Sequence, residues 1–305
     1  MTRQVRPGWI QDPLFPAPPV PAGPRPMVAS GGGSTSPVLY LGSHKPHWLW
    51  RPEAAWPLFV SHRTLGHYRK LRRATHRWAL DSGGFTELAK YGRWVTRPRE
   101  YVAAVARYQQ DVGLLDWAAP QDWMCEPAMI HGGMIGKVRA PGTGLSVPVH
   151  QHLTVLNYVE LCGLWPEESD GRCPFIPVLQ GWTIGDYDNC AGLYAAAGVN
   201  LAACPVVGLG SVCRRQNSVR IGALVSWLAA SGLRLHGFGV KTEGLGLDGE
   251  YLSSCDSMAW SYDARRNPPL PGHPHKSCAN CLPYAAAWRR RLLGGGPPAA
   301  LATAA

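Results

Sequence analysis

The chain has 305 residues, of which 46% are hydrophobic, and carries a formal net charge of +10 at pH 7. This composition excludes a disordered chain and predicts a core large enough for one large domain or two ordinary ones. The charge favours a polyanionic partner, nucleic acid first, over a basic protein that is merely soluble. No apolar run approaches the ~20 residues of a membrane span and no apolar signal core is present, so we expect a cytoplasmic protein without a membrane partner.

The ends of the chain differ in composition from its middle. Residues 1–36 are rich in Pro and Gly and predict a disordered leader, and residues 294–305 predict a disordered tail. The part between them is close to the ~250 residues of a (β/α)8 barrel. Its nine cysteines are scattered, apart from one close pair, which argues for a reducing compartment rather than a disulfide framework.

Short apolar runs alternate with helical patterns along the middle of the chain. The predicted strands are residues 38–41, 58–60, 78–80, 114–118, 175–179, 205–207 and 233–236. The predicted helices are residues 98–111, 150–164, 186–197 and 217–230, and a last helix that follows the second cysteine of the close pair. This alternation predicts an α/β fold with a parallel sheet, either closed or open.

Polar segments follow several of these strands, which is where an α/β barrel carries its catalytic residues. After the third strand, the segment from Asp81 through Ser82 and Gly83 permits a tight turn, and Asp81 suits either a base or a helix cap. Asp122 lies beside Trp123 in a segment that suits recognition of a purine-like edge, although a solvated loop fits equally.

Further along, Gln180 follows the next strand, and its amide can both donate to and accept from a lactam edge. Gly208 and Leu209 belong to a glycine-rich segment whose backbone groups are unshielded by side chains. His236 is interpreted as a packed strand histidine rather than a catalyst. Taken alone, Asp256 in its Ser-Cys-Asp-Ser context favours a cap or turn residue, but the upstream polar segments raise it to a catalytic candidate.

A cluster of metal-ligand residues near the C-terminus is the strongest physical signal. His273, His275, Cys278 and Cys281 fall within nine residues. Two thiolates and two imidazoles can hold Zn²⁺ in a closed tetrahedral site, which is typical of a structural rather than a catalytic metal. One of the histidines could be a bystander.

Basic residues concentrate in two places, the run 67–78 and the three arginines at 289–291 beside the Cys/His cluster. The run 67–78 interleaves cations with aromatic residues, which suits a phosphate backbone with stacked bases or, equally, a solvated face. The nucleic-acid-binding candidates are Arg69, Lys70, Arg72, Arg73, Arg265 and Arg266.

In this order, the segments resemble the tRNA-guanine transglycosylase superfamily over residues 37–288. The resemblance is carried by Asp-Ser-Gly-Gly-Phe at 81–85, the Asp122 segment, Leu-Gln-Gly at 179–181, Gly-Leu-Gly at 208–210, a late Asp and the terminal Cys/His cluster. The runs 41–44, 256–262 and 278–282 are most similar to the DpdA-like branch, which inserts 7-deazaguanine bases into DNA.

The resemblance implies a (β/α)8 TIM-type barrel over residues 37–266, followed by a zinc-binding segment with a terminal helix over residues 267–293. It implies that Asp256 is the nucleophile, forming a covalent glycosyl-enzyme intermediate, and that Asp81 is the general acid/base. The residues implied to bind the deazaguanine, preQ0 or a derivative, are Ser82, Gly83, Asp122, Gln180, Gly208 and Leu209. DNA is the implied partner, together with other proteins of a DNA-modification system.

Three alternatives stay open. The substrate could be tRNA, as in enzymes of queuosine or archaeosine type. A non-catalytic, zinc-containing nucleic-acid-binding protein fits the charge and the Cys/His cluster, and a glycosidase that releases the base without exchange fits the paired acids. The residues alone would also allow Asp81 and Asp256 to swap roles, since both are carboxylates expected near strand ends.

Overall fold

The computed structural model describes residues 37–135, 138–165, 173–212, 219–240 and 251–294. The predicted leader and all but the first residue of the predicted tail lie outside these ranges. In chain order, the described strands are β1 (Val38–Ser43), β2 (Leu58–Ser61), β3 (Trp78–Asp81), β4 (Leu115–Ala118), β5 (Gly133–Ile135), β6 (Val138–Ala140), β7 (Val178–Leu179), β8 (Val207–Leu209), β9 (Leu235–Gly237) and β10 (Ser254–Ser257).

Eight of these strands form one parallel sheet in the order β4-β3-β2-β1-β10-β9-β8-β7. The two outer strands meet, because Ala118 at the end of β4 bridges Phe175, which leads into β7. The Ala118 N–H donates to the Pro174 carbonyl at 2.8 Å, and the Ile176 N–H donates to the Ala118 carbonyl at 3.1 Å. The sheet is therefore curled into a barrel, and the predicted (β/α)8 fold is confirmed. The remaining pair, β5 and β6, forms a separate antiparallel hairpin.

Helices connect the strands and cover the outside of the sheet. They are α1 (His62–Leu65), α2 (Gly84–Tyr91), α3 (Pro98–Asp111), α4 (Pro127–His131), α5 (Val147–Gly163), α6 (Ile184–Ala196), α7 (Val219–Ala230), α8 (Ala259–Asp263) and α9 (Leu282–Leu292). None of the helices in the described ranges is long and apolar enough to cross a membrane.

Most strands of the eight-stranded sheet are buried on both faces, which explains why all of them except β10 read as mainly apolar runs rather than alternating ones. One face joins the large cluster between sheet and helices, with residues such as Leu41, Leu80 and Leu209. The other face fills the barrel interior, where Tyr40, Trp117 and further strand residues pack together. The Cys/His segment belongs to the same large cluster through Cys278 and Trp288, and it therefore packs on the barrel.

The structure shifts several predicted elements. The strand predicted at 205–207 is instead β8, Val207–Leu209, since Pro205 has no N–H to give to a ladder. The strand predicted at 233–236 is β9, Leu235–Gly237. Asp256 is neither a cap nor a turn residue but lies inside β10, whose four residues are all buried. The polar composition of β10 hid this strand from a search for apolar runs.

Candidate active site

Four of the predicted site residues come to the carboxyl end of the barrel strands. Asp81 is the last residue of β3, Gln180 follows β7 directly, and Asp256 is the third residue of β10. Asp122 lies four residues beyond the end of β4. Because the strands are parallel, their carboxyl ends open on one face of the barrel, which is where barrel enzymes carry their chemistry.

Asp81 is held at the start of a tight turn. Its Oδ1 accepts the N–H of Gly83 at 3.0 Å, and Gly83 has a φ of 84°, which a residue with a side chain rarely adopts. Burial raises the pKa of Asp81, and the negative charge of Asp256 raises it further, whereas hydrogen bonds from Gly83 and Ser61 and the Arg63 cation oppose the rise. A raised pKa favours the protonated form of the carboxyl group, which is the form that a general acid needs.

Asp256 has only 5% of its surface exposed, and its contacts fix its orientation. Its Oδ1 accepts the N–H of Gly239 at 2.9 Å and lies 3.3 Å from Nε2 of His236. The carboxylate therefore lies against β9 and the residues that follow it, on a strand held between β1 and β9. His236 was interpreted from the sequence as a packed residue, and it is buried, but it also contacts this acid.

A second polar group surrounds Asp122. Gln180 Nε2 donates to Asp122 Oδ2 at 2.5 Å, and Gln180 Oε1 accepts from the Ser211 hydroxyl at 2.7 Å. That hydroxyl also lies 2.8 Å from Glu126 Oε2 and accepts the Cys125 N–H at 2.8 Å. Burial raises the pKa of Asp122 to about 7, and the charges of Asp81 and Glu126 add to the rise. The group can thus present both donors and acceptors to a flat heterocycle.

The glycines of β8 and the following residue allow close packing around this group. A Cβ at Gly208 would lie 2.6 Å from the Phe238 ring, and one at Gly210 would lie 2.2 Å from Gln180 Nε2. The side chain of Leu209 packs in the large core, so only its backbone can meet a ligand. Ser82 is buried directly beyond Asp81.

Sequence reasoning missed Ser61, Arg63, Glu126 and Ser211 as parts of the site. Glu126 belongs to the same segment as Asp122 and Ser211 to the same glycine-rich segment as Gly208, so their places in the sequence could have pointed to them. Ser211 has a φ of 56°, a left-handed conformation that no pattern in the sequence indicates for serine. Arg63 packs across Gly83 and approaches Glu87 at 3.6 Å, which depends on tertiary structure alone.

The predicted basic residues separate into two groups. Arg265 and Arg266 follow α8, just beyond the carboxyl end of β10, and the Arg266 guanidinium lies 4.0 Å above the Tyr262 ring. The other four belong to an exposed loop that leads to the amino end of β3, where Arg73 reaches Gly113. Arg265 and Arg266 therefore follow the strand that carries Asp256, whereas the other four lie in a loop that leads to the opposite, amino end of the barrel.

The predicted metal ligands converge. The ligand atoms of His273, His275, Cys278 and Cys281 all lie within 4.8 Å of one another. His275 Nε2 is 3.0 Å from Cys278 Sγ, and His273 Nδ1 is 3.5 Å from Cys281 Sγ. Tetrahedral zinc bonds place neighbouring nitrogen and sulfur ligands about 3.5 Å apart, so the donor set fits a structural Zn²⁺. Both histidines, including the one that could have been a bystander, lie among the four.

The structure thus has a (β/α)8 barrel with acids at its carboxyl end and a C-terminal Cys/His cluster, the arrangement that the resemblance to transglycosylases implied. The family model described as "DpdA: DeoxyPurine in DNA protein A" matches residues 36–301. Because the match covers most of the 305 residues, the chain belongs to this family, whose members are DNA deazapurine transglycosylases. A comparison with curated proteins gave no significant match.

Proposed function

We propose that the protein exchanges guanine in DNA for a 7-deazaguanine base, preQ0 or a derivative, through a covalent intermediate on Asp256. The observation that carries the proposal is the pairing of acids at one end of the barrel. Asp81 and Asp256 come from different strands, yet the charge of Asp256 raises the pKa of Asp81. Two acids in one electrostatic neighbourhood can divide the roles of proton carrier and nucleophile.

In the first step the Asp256 carboxylate attacks C1′ of the target nucleotide, a new C–O bond forms, and the bond from C1′ to guanine N9 breaks. Protonated Asp81 gives its proton to the departing guanine, which leaves neutral. In the second step the incoming base gives its N9 proton to Asp81, N9 attacks C1′, and the ester bond to Asp256 breaks. Each carboxyl group returns to its starting state, as catalysis requires.

The group around Asp122 supports recognition of the incoming base. Ionised Asp122 accepts hydrogen bonds from the ring N–H and the amino group of the base, while the Gln180 amide donates one to its lactam oxygen. Ser82, Gly83 and the backbone of Gly208 and Leu209 complete the proposed pocket. The target nucleotide must be unstacked to reach it, and we expect Arg265 and Arg266 to contact its flanking phosphates.

The remaining assignments follow from the same proposal. The loop with Arg69, Lys70, Arg72 and Arg73 would contact DNA at a distance from the acids. The barrel would end at residue 266, and the segment 267–293 would bind a structural Zn²⁺ that stabilises it and takes no part in the chemistry. Such an enzyme would work in the cytoplasm, where DNA, free base and partner proteins of a modification system are present together.

Incorporation of a labelled base tests the proposal. Purified protein is incubated with labelled preQ0 and either DNA or tRNA, and the nucleosides are then separated and counted. We expect label in DNA with the unmodified protein and with Asp188→Asn, which replaces an exposed acid on α6, but none with Asp256→Asn. A covalent adduct between protein and DNA that survives denaturation at neutral pH should accumulate when the incoming base is omitted.

Other outcomes favour the alternatives. Label in tRNA alone would indicate a tRNA-modifying enzyme. Release of guanine without incorporation of the labelled base would indicate a glycosidase. If Asp256→Asn incorporates label as fast as the unmodified protein, the covalent role of Asp256 is wrong.

A further inference from the structure

His236 is a fully buried polar side chain that the proposed mechanism does not use. It lies on β9 and is paired in register with Ser254 on β10. Side chains two positions apart on a strand point to the same face. Ser254 and Asp256 therefore both point toward the side of the sheet that His236 occupies, which is the barrel interior.

Two contacts indicate which nitrogen of the His236 ring carries the hydrogen. Nε2 lies 3.3 Å from Asp256 Oδ1, and Nδ1 lies 2.9 Å from the Ser254 hydroxyl oxygen. A carboxylate only accepts hydrogen bonds, so Nε2 carries the hydrogen and donates it to Asp256. Nδ1 of the neutral ring then accepts the hydroxyl proton of Ser254. Burial lowers the pKa of His236 against the raising effect of Asp256, which is consistent with a neutral ring.

Aromatic neighbours hold this ring in place. The ring centroids of Trp117 and Phe238 lie 4.5 Å and 4.8 Å from that of His236, both edge to face, and Tyr40 lies at 5.9 Å. Rotation of the imidazole would require these side chains to move. The hydrogen bond to Asp256 is thus preorganised rather than formed when substrate binds.

The Gly239 N–H also donates to Oδ1, so among the described residues both donors to this carboxylate end on the same oxygen. We infer that His236 is a positioning residue for Asp256, holding Oδ1 so that Oδ2 faces C1′ of the target nucleotide. This inference rests on the proposed function. In the attack, Oδ2 bonds to C1′ as the bond from C1′ to N9 breaks, and His236 keeps its proton throughout.

A pair of substitutions separates the hydrogen bond from packing. His236→Phe keeps an aromatic ring but removes the donor, and His236→Gln keeps an N–H close to the position of Nε2. We expect His236→Phe to lower kcat about 10- to 100-fold with little change in the KM for DNA or base, the scale of a hydrogen bond to a charged group. His236→Gln should recover most of that loss. An unchanged kcat in His236→Phe, equal losses in both variants, or a loss confined to KM would overturn the inference.

A second measurement does not depend on activity. In protein labelled with ¹⁵N-histidine, the His236 signals are those absent from His236→Gln. We expect the neutral Nε2–H tautomer, and a change in its Nε2 shift in Asp256→Asn. The Nδ1–H tautomer, or signals indifferent to Asp256→Asn, would overturn the inference. If the unmodified protein incorporates no base into any nucleic acid, the proposed function fails, and the tautomer still decides whether His236 donates to Asp256.

Discussion

Replacing Asp122 by asparagine should make the protein more stable, and only above a certain pH. Asp122 lies in a site that disfavours the charge of its carboxyl group. Burial raises its pKa to about 7 from the ordinary value of 3.8. The folded protein therefore binds this proton more tightly than the unfolded chain does. By linkage, the free energy of unfolding falls as the pH rises from about 4 to about 7, the interval between the two pKa values.

The size of the effect follows from that interval. At about 1.36 kcal/mol for each pH unit, the difference between 3.8 and about 7 corresponds to about 4 kcal/mol. Asp122 keeps some contact with solvent, which screens its charge, so we expect about 2 to 4 kcal/mol. Asparagine fills nearly the same volume, and its Oδ1 can still accept the Gln180 amide, so the substitution removes the charge and little else.

Urea unfolding of both proteins, without DNA or base, measures this difference between about pH 4 and about pH 8. We expect the two curves to coincide near pH 4 and Asp122→Asn to be the more stable protein near pH 8. Asp188→Asn on the exposed face of α6 is the matched control and should follow the unmodified protein throughout. Equal stabilities at every pH, or a lower stability of Asp122→Asn near pH 8, would refute the argument. Loss of base exchange in the same variant would show that the carboxylate is retained for function.

Three further predictions concern neighbouring features. Gly210→Ala should displace the Gln180 amide, 2.2 Å from the new Cβ, and raise the KM for the base about tenfold in the labelled-base assay while kcat changes less. Cys278→Ser should abolish bound zinc in metal analysis and lower the melting temperature, whereas Cys204→Ser, outside the cluster, should do neither. Glu87 is buried, which by itself would raise its pKa, but hydrogen bonds from two backbone N–H groups and a hydroxyl lower it. The depressed pKa stabilises the fold fully at a pH above the pKa of Glu87 in the unfolded chain, and this stabilisation is lost as the pH falls through its pKa in the folded protein. Glu87→Gln should therefore lower the free energy of unfolding by about 2 kcal/mol at neutral pH, and by much less in acid, as measured by urea unfolding.

Local sequence patterns were sufficient to predict those features that a single stretch of the chain forms by itself. The apolar runs located seven of the barrel strands to within two or three residues, since these strands are largely buried and mainly apolar, and only the polar β10 was missed. The Cys/His cluster lies within nine residues, so its convergence depends on little more than one turn of chain and the start of α9. The turn after Asp81 was readable because only glycine adopts the φ of Gly83 freely.

Only the tertiary structure determined which of these residues and segments lie next to one another in space. Closure of the sheet by Ala118 and Phe175, and the register that sets Ser254 beside His236, depend on contacts between distant parts of the chain. The Ser211 hydroxyl reaches the Cys125 N–H across 86 positions, and nothing near either residue indicates that contact. A sequence therefore shows which residue types can bind, donate or attack, but strand order and register determine which of them share a pocket, because those are set by the packing of the whole barrel.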